Sequence, residues 1–297
     1  MKAKKLKGLL ERFLGSEVAY YCSKRLFHSH LFPFVQAITY HDTPDIFLSN
    51  LRDQFEWYKK NFVNCGLSDL RDLLTKGVWR YDKPGLIISF DDGLRSNYDV
   101  VLPLLDEYGF TGWFMIPPGF IDTEPCSQIE FANHHRIDFY PRVDKSRIAL
   151  TWNELKNLER RGHVLTCHSM NHTRLGEELT KSNLEIEIKN SKYLLESRLG
   201  HTFDMFAWVG GEEWAYGRRA YDLILKAGYS LVFCTNCAPI TARQSPFFLE
   251  RYHIEPDYGR DQLRLVLGGF YDLKYLWKRR RVIRKLDVPP HLSSTPI

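Results

Sequence analysis

Short apolar runs alternate with amphipathic stretches along most of this chain, and that alternation restricts the fold more than any other feature. Residues 34–42, "FVQAITYHD", read as a strand, and 47–62, "FLSNLRDQFEWYKKNF", repeat apolar residues at helical spacing. "GLIISFDDG" is the next strand, followed by a helix around "NYDVVLPLLDEYG" that Gly109 can cap. "TGWFMIP" is another strand. Thr151, Trp152, Asn153 and Glu154 fit a capping box, opening a helix that ends at Gly162. "HVLTCH", a long helix over 181–199, "MFAWVGG", "AYDLILKAG", "SLVFCT" and "FFLERYHIEP" complete the series. Strands separated by helices at this spacing imply βαβ units and a mainly parallel sheet. With about seven strands in one chain, the expected fold is α/β, a closed or nearly closed barrel. Residues 119–147, rich in Pro, His and charge, are expected to form a long loop over one end.

Composition narrows the class. No apolar run approaches the roughly 18 residues needed to cross a bilayer. The opening "MKAKKLKGLLERFLGSE" develops no apolar h-region or small-residue cleavage site, so a cytoplasmic location is the expectation. Six cysteines are scattered, and the lone CxxC at Cys234 and Cys237 lacks the second pair of a zinc ribbon; buried, reduced thiols are expected.

Charge is unevenly spread. Residues 1–30 carry seven Lys/Arg against two Glu, and 270–297 carry seven against two Asp, so the middle of the chain is acidic. The chain therefore divides into a basic amphipathic N-terminal extension (1–33), a central domain (34–269) and a basic C-terminal tail (270–297). Leu6, Leu9, Leu10, Phe13 and Leu14 follow helical spacing among lysines, and "YDLKYLWKRRRVIRKL" mixes aromatics with a basic run. Such ends suit an anionic membrane face, or else pack on the domain by their apolar stripe. The acidic middle offers no continuous basic track, so no nucleic acid is expected as a partner.

Two motifs carry chemistry. The strand ending in "SFDDG" brings Asp91 and Asp92 together, where an Asp-Gly turn is the plain alternative. "HSMNH" places His168 and His172 four residues apart after another apolar run, a spacing that lets two imidazoles hold one metal. A carboxylate from another strand end completes a two-His, one-carboxylate triad. Asp92 is then the metal ligand, and Asp91 is free to take a proton from water.

"SFDDG" followed by "HSMNH" resembles the first two motifs of the polysaccharide deacetylases, the NodB-homology or family 4 carbohydrate esterases. "ITYHDTP", "YGFTGWFMIPPGFI", "LTWNELKNLERRGHVLTCHSMNH" and "MFAWVGG…AYDLILKAGY" are similar to that family's surrounding segments, so the resemblance runs over about 38–257. It implies a distorted (β/α)7-type barrel and metal-dependent hydrolysis of an N-acetyl group from a saccharide. Zinc is the implied metal, with cobalt, manganese or iron also accepted by such ligands. Asp91 becomes the general base, with Asp92, His168 and His172 as metal ligands. The metal and a backbone N–H would stabilise the tetrahedral oxyanion.

The chain departs from the family pattern twice. The third motif's Arg is missing from "FAWVGG", where Ala207 and Trp208 stand, and Arg251 in "LERYHIEP" is assigned to orient Asp91 instead. The late strand that supplies the general acid is missing from the C-terminus, and "ITYHD" resembles it moved to the front. First and last strands are neighbours in a closed barrel, so His41 is assigned as the acid, with His253 as runner-up. His41 can equally bond Asp42 or a strand-end backbone group. Trp152 and Trp208 are candidates to stack on sugar rings, or else core. His163 is expected to pack at the start of its strand, and His134 and His135 to be solvated.

The expected substrate is a surface-glycan or lipid-linked precursor handled at the inner face of a membrane. N-formyl or O-acetyl groups would be open to the same chemistry. A catalytically silent carbohydrate-binding domain is the rival reading, motivated by the missing Arg.

Overall fold

Seven strands run parallel around a ring in the computed structural model, which describes residues 13–141, 147–242 and 244–289. In chain order the strands are β1 (Phe34–Tyr40), β2 (Val63–Asn64), β3 (Gly85–Phe90), β4 (Gly112–Ile116), β5 (Val164–Cys167), β6 (Met205–Ala207), β7 (Leu231–Cys234), β8 (Ile240–Thr241) and β9 (Leu249–His253). The ring is β1-β3-β4-β5-β6-β7-β9, closed because β1 pairs with both β3 and β9. The short β2 adds outside β3, and β8 lies antiparallel on β1. The expected distorted seven-stranded (β/α) barrel is thus observed.

Strand periodicity explains which residues reach the inside. Side chains alternate across a strand. Ala37, Ile87, Trp113, Met115, Ala207, Phe233 and Leu249 form one cluster within the ring, with Leu70, Leu73 and Leu74 of the helix Leu67–Lys76 packed against it. Their neighbours Ile38, Ile88, Phe114 and Phe206 belong to the larger outer cluster beneath the surrounding helices. Every residue of β1 is buried, as expected of a strand covered on both faces. Continuing the inward parity upward along the strands gives Thr39, Ser89, Asp91 and Arg251.

The helix starts follow local chemistry. Thr151 Oγ1 accepts from Glu154 N at 3.3 Å while Thr151 N donates to Glu154 Oε2 at 2.8 Å, the reciprocal capping box read from the sequence. Gly109 closes the helix Leu102–Tyr108 at φ +71°, a left-handed conformation that suits glycine.

Segment 119–147 departs from the loop expected of it. Among its described residues it forms the helical turns Pro118–Ile121 and Pro125–Ser127 and the helix Gln128–His135. Proline at the first helical position starts the two turns, and Gln128 Oε1 accepts from Ile148 N and Ala149 N, tying the segment's far end back.

The described parts of both basic ends pack on the barrel. The helix Glu17–Phe27 sets Phe27 against Phe270, ring centroids 5.9 Å apart. The helix Tyr271–Leu286 buries Val282 and Leu286, and its Asp272 accepts from Tyr252 Oη at 2.6 Å and meets His28 at 2.7 Å. Of the N-terminal stripe, Leu6, Leu9 and Leu10 lie outside the described residues. No helix among the described residues is long and apolar enough to cross a membrane.

Candidate active site

The two aspartates point different ways because the chain turns between them. Asp91 continues the inward parity of β3, and Asp92 adopts φ +73°, a conformation uncommon for a side-chain-bearing residue. Ser169 and His172 share this left-handed backbone at φ +59° and +55°. Three such residues meet at one end of the barrel, where the surroundings must hold the strain.

Asp92, His168 and His172 offer ligand atoms within 4.8 Å of one another, and all three side chains are buried. His172 Nε2 stands 3.0 Å and His168 Nε2 3.6 Å from Asp92 Oδ1. The imidazoles are oriented from behind. His168 Nδ1 donates to Ala207 O at 2.9 Å, and His172 Nδ1 donates to His135 O at 2.8 Å. With the proton fixed on Nδ1, each neutral ring turns an Nε2 lone pair towards Asp92.

Asp92 Oδ1 is buried and accepts no hydrogen bond of acceptable geometry, an orphaned anionic oxygen. Two converging lone pairs beside it are the donor set of a two-His, one-carboxylate metal site. These residues fit a divalent cation. Burial works against ionising Asp92, and in their protonated forms His172 and His168 hold its carboxyl well below the usual carboxylate range.

Asp91 has a different partner. Arg251 Nη1 donates to its Oδ1 at 2.6 Å and Nη2 to its Oδ2 at 3.0 Å, a bidentate pair with both side chains buried. The guanidinium is held by Ser89 Oγ at 3.0 Å, Thr39 Oγ1 at 3.1 Å and Cys234 O at 3.3 Å. Burial would raise the Asp91 pKa; Arg251, His168 and His41 outweigh it, and the carboxyl lies below its ordinary value. Asp91 Oδ2 is 3.9 Å from His168 Nε2, so Asp91 and the His-His-Asp cluster share one wall.

His41 and His253 lie side by side across the strand ends, ring centroids 5.0 Å apart. His253 Nε2 meets Glu255 Oε1 at 2.5 Å. Burial lowers the His41 pKa, with Asp92 and Asp91 pulling it back. One cavity of about 300 Å³ contains His41, Asp91, His168, His172 and His253, together with Tyr275 and Lys278 from the C-terminal helix. A second, of about 350 Å³, shares His41 and His253 and runs on to Phe139, Tyr140 and Glu255. The two cavities share the histidine pair as a common wall.

The tryptophans read as sugar platforms are elsewhere. Trp208 is fully buried between Phe206 and Tyr216, because its position one residue past Ala207 turns it outward under the helices. Trp152 donates Nε1 to Asp122 Oδ1 at 3.0 Å, carries Arg198 over its ring, and lines neither cavity. His163 Nδ1 accepts from Gly112 N at 3.0 Å, packed at its strand start as expected. His135, expected to be solvated, supplies the carbonyl behind His172. Cys234 and Cys237 are free and buried.

Sequence reasoning missed Glu187. Its carboxylate accepts from Met170 N at 2.9 Å, Asn171 N at 3.0 Å and Thr173 Oγ1 at 2.9 Å, fixing the turn between the two histidines. It belongs to a π-helical turn, Ile186–Asn190, and such insertions recur at functional sites. The available signal was a carboxylate on the buried face formed by Leu184, Ile188 and Leu195.

A buried Asp–Arg pair beside a His-His-Asp cluster at the strand ends of a parallel barrel has the donor set of a candidate divalent-metal centre. The sequence pattern of the polysaccharide deacetylase family matches residues 80–232, more than half of the chain, and the chain belongs to that family. It is similar to the poly-β-1,6-N-acetyl-D-glucosamine N-deacetylase of Escherichia coli (strain K12), 24% identical over 174 residues, 54% of this chain and 25% of that protein. The chain thus spans about a quarter of the length of that curated relative. Among solved structures, the Streptococcus pyogenes deacetylase PplD in complex with acetate superposes at TM-score 0.62 and 19% identity, covering 79% of this chain and 98% of that one. A de-N-acetylase from Aggregatibacter actinomycetemcomitans gives TM-score 0.63 at 16% identity, covering 79% and 100%. These structures share the fold.

Proposed function

We propose that the protein is a metal-dependent hydrolase that removes N-acetyl groups from a saccharide. The observation that carries this reading is the pairing of functions at one cleft. Asp91, gripped by Arg251, lies beside a His-His-Asp cluster whose inner carboxylate oxygen has no hydrogen bond. A divalent cation held by Asp92, His168 and His172, zinc in first place, would act as a Lewis acid on the acetyl carbonyl and acidify water.

The chain's own residues do the rest. Asp91, kept ionised and aimed by Arg251, accepts the proton of the attacking water. His41, backed by His253 and Glu255, gives a proton to the departing amine. The cleft on both sides of His41 suits a saccharide longer than one ring. A surface-glycan or lipid-linked precursor is the proposed substrate, supported by the basic ends and by the polysaccharide on which the Escherichia coli relative acts.

The silent sugar-binding reading drew on the missing third-motif Arg. Arg251 supplies a guanidinium to Asp91 from another strand, which removes that motive.

Metal counting tests the proposal without knowledge of the sugar. The full chain and an Asp92→Ala/His168→Ala variant, purified without chelators, are measured by mass spectrometry. About one divalent ion per chain in the first and none in the second is the expected result. No metal in either after reconstitution overturns the mechanism. Acetate release from N-acetylated oligosaccharides, compared with N-formyl and O-acetyl analogues, then identifies the bond cleaved.

A further inference from the structure

The helix Tyr271–Leu286 has two unlike faces. Its inner face buries Val282 and Leu286 and turns Tyr275 and Lys278 into the wall of the catalytic cleft. Its outer face exposes Leu273, Lys274, Trp277, Arg280, Arg281, Arg284 and Lys285, with no acidic residue among them. Leu273 is 51% and Trp277 66% exposed. Those two follow i, i+4 spacing, so the apolar pair forms one ridge flanked by cations.

The charge on this face is largely unspent. Arg281 pairs with Glu213 at 2.8 Å and Lys285 with Glu177 at 3.6 Å. Lys274, Arg280 and Arg284 make no ion pair among the described residues; Lys274 lies over Tyr271 and Tyr275, and Arg280 over Trp277. The patch extends past Glu213 to Trp214, itself 50% exposed. From there the chain leads back to Gly210 and Gly211 on the cleft wall, where Lys278 Nζ donates to Gly211 O. Exposed Trp and Leu set among unpaired cations on a surface helix match the boundary between anionic headgroups and acyl chains.

We propose that this outer face docks on an anionic phospholipid bilayer and holds the mouth of the cleft against it. Charge complementarity selects the occupant. A neutral protein partner would leave three cations unanswered, and a soluble polyanion would leave Leu273 and Trp277 in water. Docking here does not rest on the deacetylase reading, and its test uses neither metal nor sugar.

The full chain is sedimented with equimolar phosphatidylcholine–phosphatidylglycerol vesicles, and with phosphatidylcholine vesicles alone. Binding to the first and not to the second is expected, weakening as salt rises. Each surface cation contributes about fivefold in affinity, so Lys274→Gln/Arg280→Gln/Arg284→Gln should weaken vesicle binding on the order of a hundredfold. All three side chains are on the surface, and an unchanged thermal melt verifies folding. Tryptophan emission should shift to the blue on adding anionic vesicles, and Trp277→Phe should abolish most of that shift. No sedimentation with anionic vesicles overturns the proposal. So does equal binding to phosphatidylcholine alone, or undiminished binding by the triple variant. Duplex DNA competing as strongly as vesicles of equal charge would also overturn it, because the site would then read charge alone.

Discussion

Arg251 and Asp91 stand 160 residues apart in the chain and meet through two hydrogen bonds, at 2.6 and 3.0 Å, inside the closed barrel. The guanidinium arrives from β9 and the carboxylate from the end of β3, with β1 between them supplying Thr39 to the same guanidinium. The pair serves stability and chemistry together, and the two can be separated by experiment.

Removing one partner leaves an uncompensated buried charge, which typically costs about 3–5 kcal/mol. Arg251→Met should lower unfolding free energy by that amount in a urea titration. Equal stability of variant and wild type would show that the pair is solvated and held loosely.

Asp91→Asn keeps the shape of the side chain and removes the proposed base. Turnover should fall by a factor on the order of 10² to 10⁴, with metal content unchanged by mass spectrometry. Full turnover by this variant would move the base elsewhere.

Glu187 touches no ligand atom of the metal cluster, yet it fixes the turn that carries His172. Glu187→Gln weakens the acceptor for four donors, the Asn171 side-chain amide among them, and should reduce metal affinity roughly 10- to 100-fold, read by chelator competition. Unchanged affinity would reduce Glu187 to a core-filling role.

Glu250 gives the stability a pH dependence of its own. Burial pushes its carboxyl from 4.5 up to about 7, with Arg279 and Asn236 opposing. The folded chain therefore keeps a proton that the unfolded chain releases, and stability falls as pH rises from about 4.5 through 7. The shift corresponds to roughly 3 kcal/mol lost by pH 8. Glu250→Gln should flatten that fall and be the more stable form at pH 8, with little difference near pH 4.5. Its amide can meet Asn236 Oδ1, which has no partner in the structure. A parallel pH dependence in both proteins would place the effect at another group.

Much of the barrel was legible because buried parallel strands leave compact apolar runs, as in "LIISF" and "GWFMI", and helices between them leave a 3.6-residue rhythm. The candidate metal cluster was legible because its members come in two short motifs. What stayed hidden was set by tertiary position. Trp208 is one residue beyond an inward-facing Ala207, and strand parity, which a sequence of three-residue strands barely expresses, decides whether it meets sugar or core. Segment 119–147 looked irregular because Pro, His and charged residues interrupt any apolar rhythm in it, whereas Gln128 anchors it through backbone donors that no local pattern advertises. Glu187 and the carbonyls of Ala207 and His135 act through backbone contacts, and a carbonyl carries no residue signature.

The position of β1 between β3 and β9 sets the order in which the centre can be completed. Thr39 and Arg251 are separated by 212 residues, so a chain emerging from the ribosome exposes both aspartates and both histidines of the candidate metal cluster long before β9 is made. Until that strand docks, Asp91 has no guanidinium and the ring has an open seam. Closing a contact of such sequence separation is a late and slow event. On the proposed mechanism, the unfinished polypeptide carries the candidate cation ligands before it carries the guanidinium that aims Asp91, and the last large strand completes the centre.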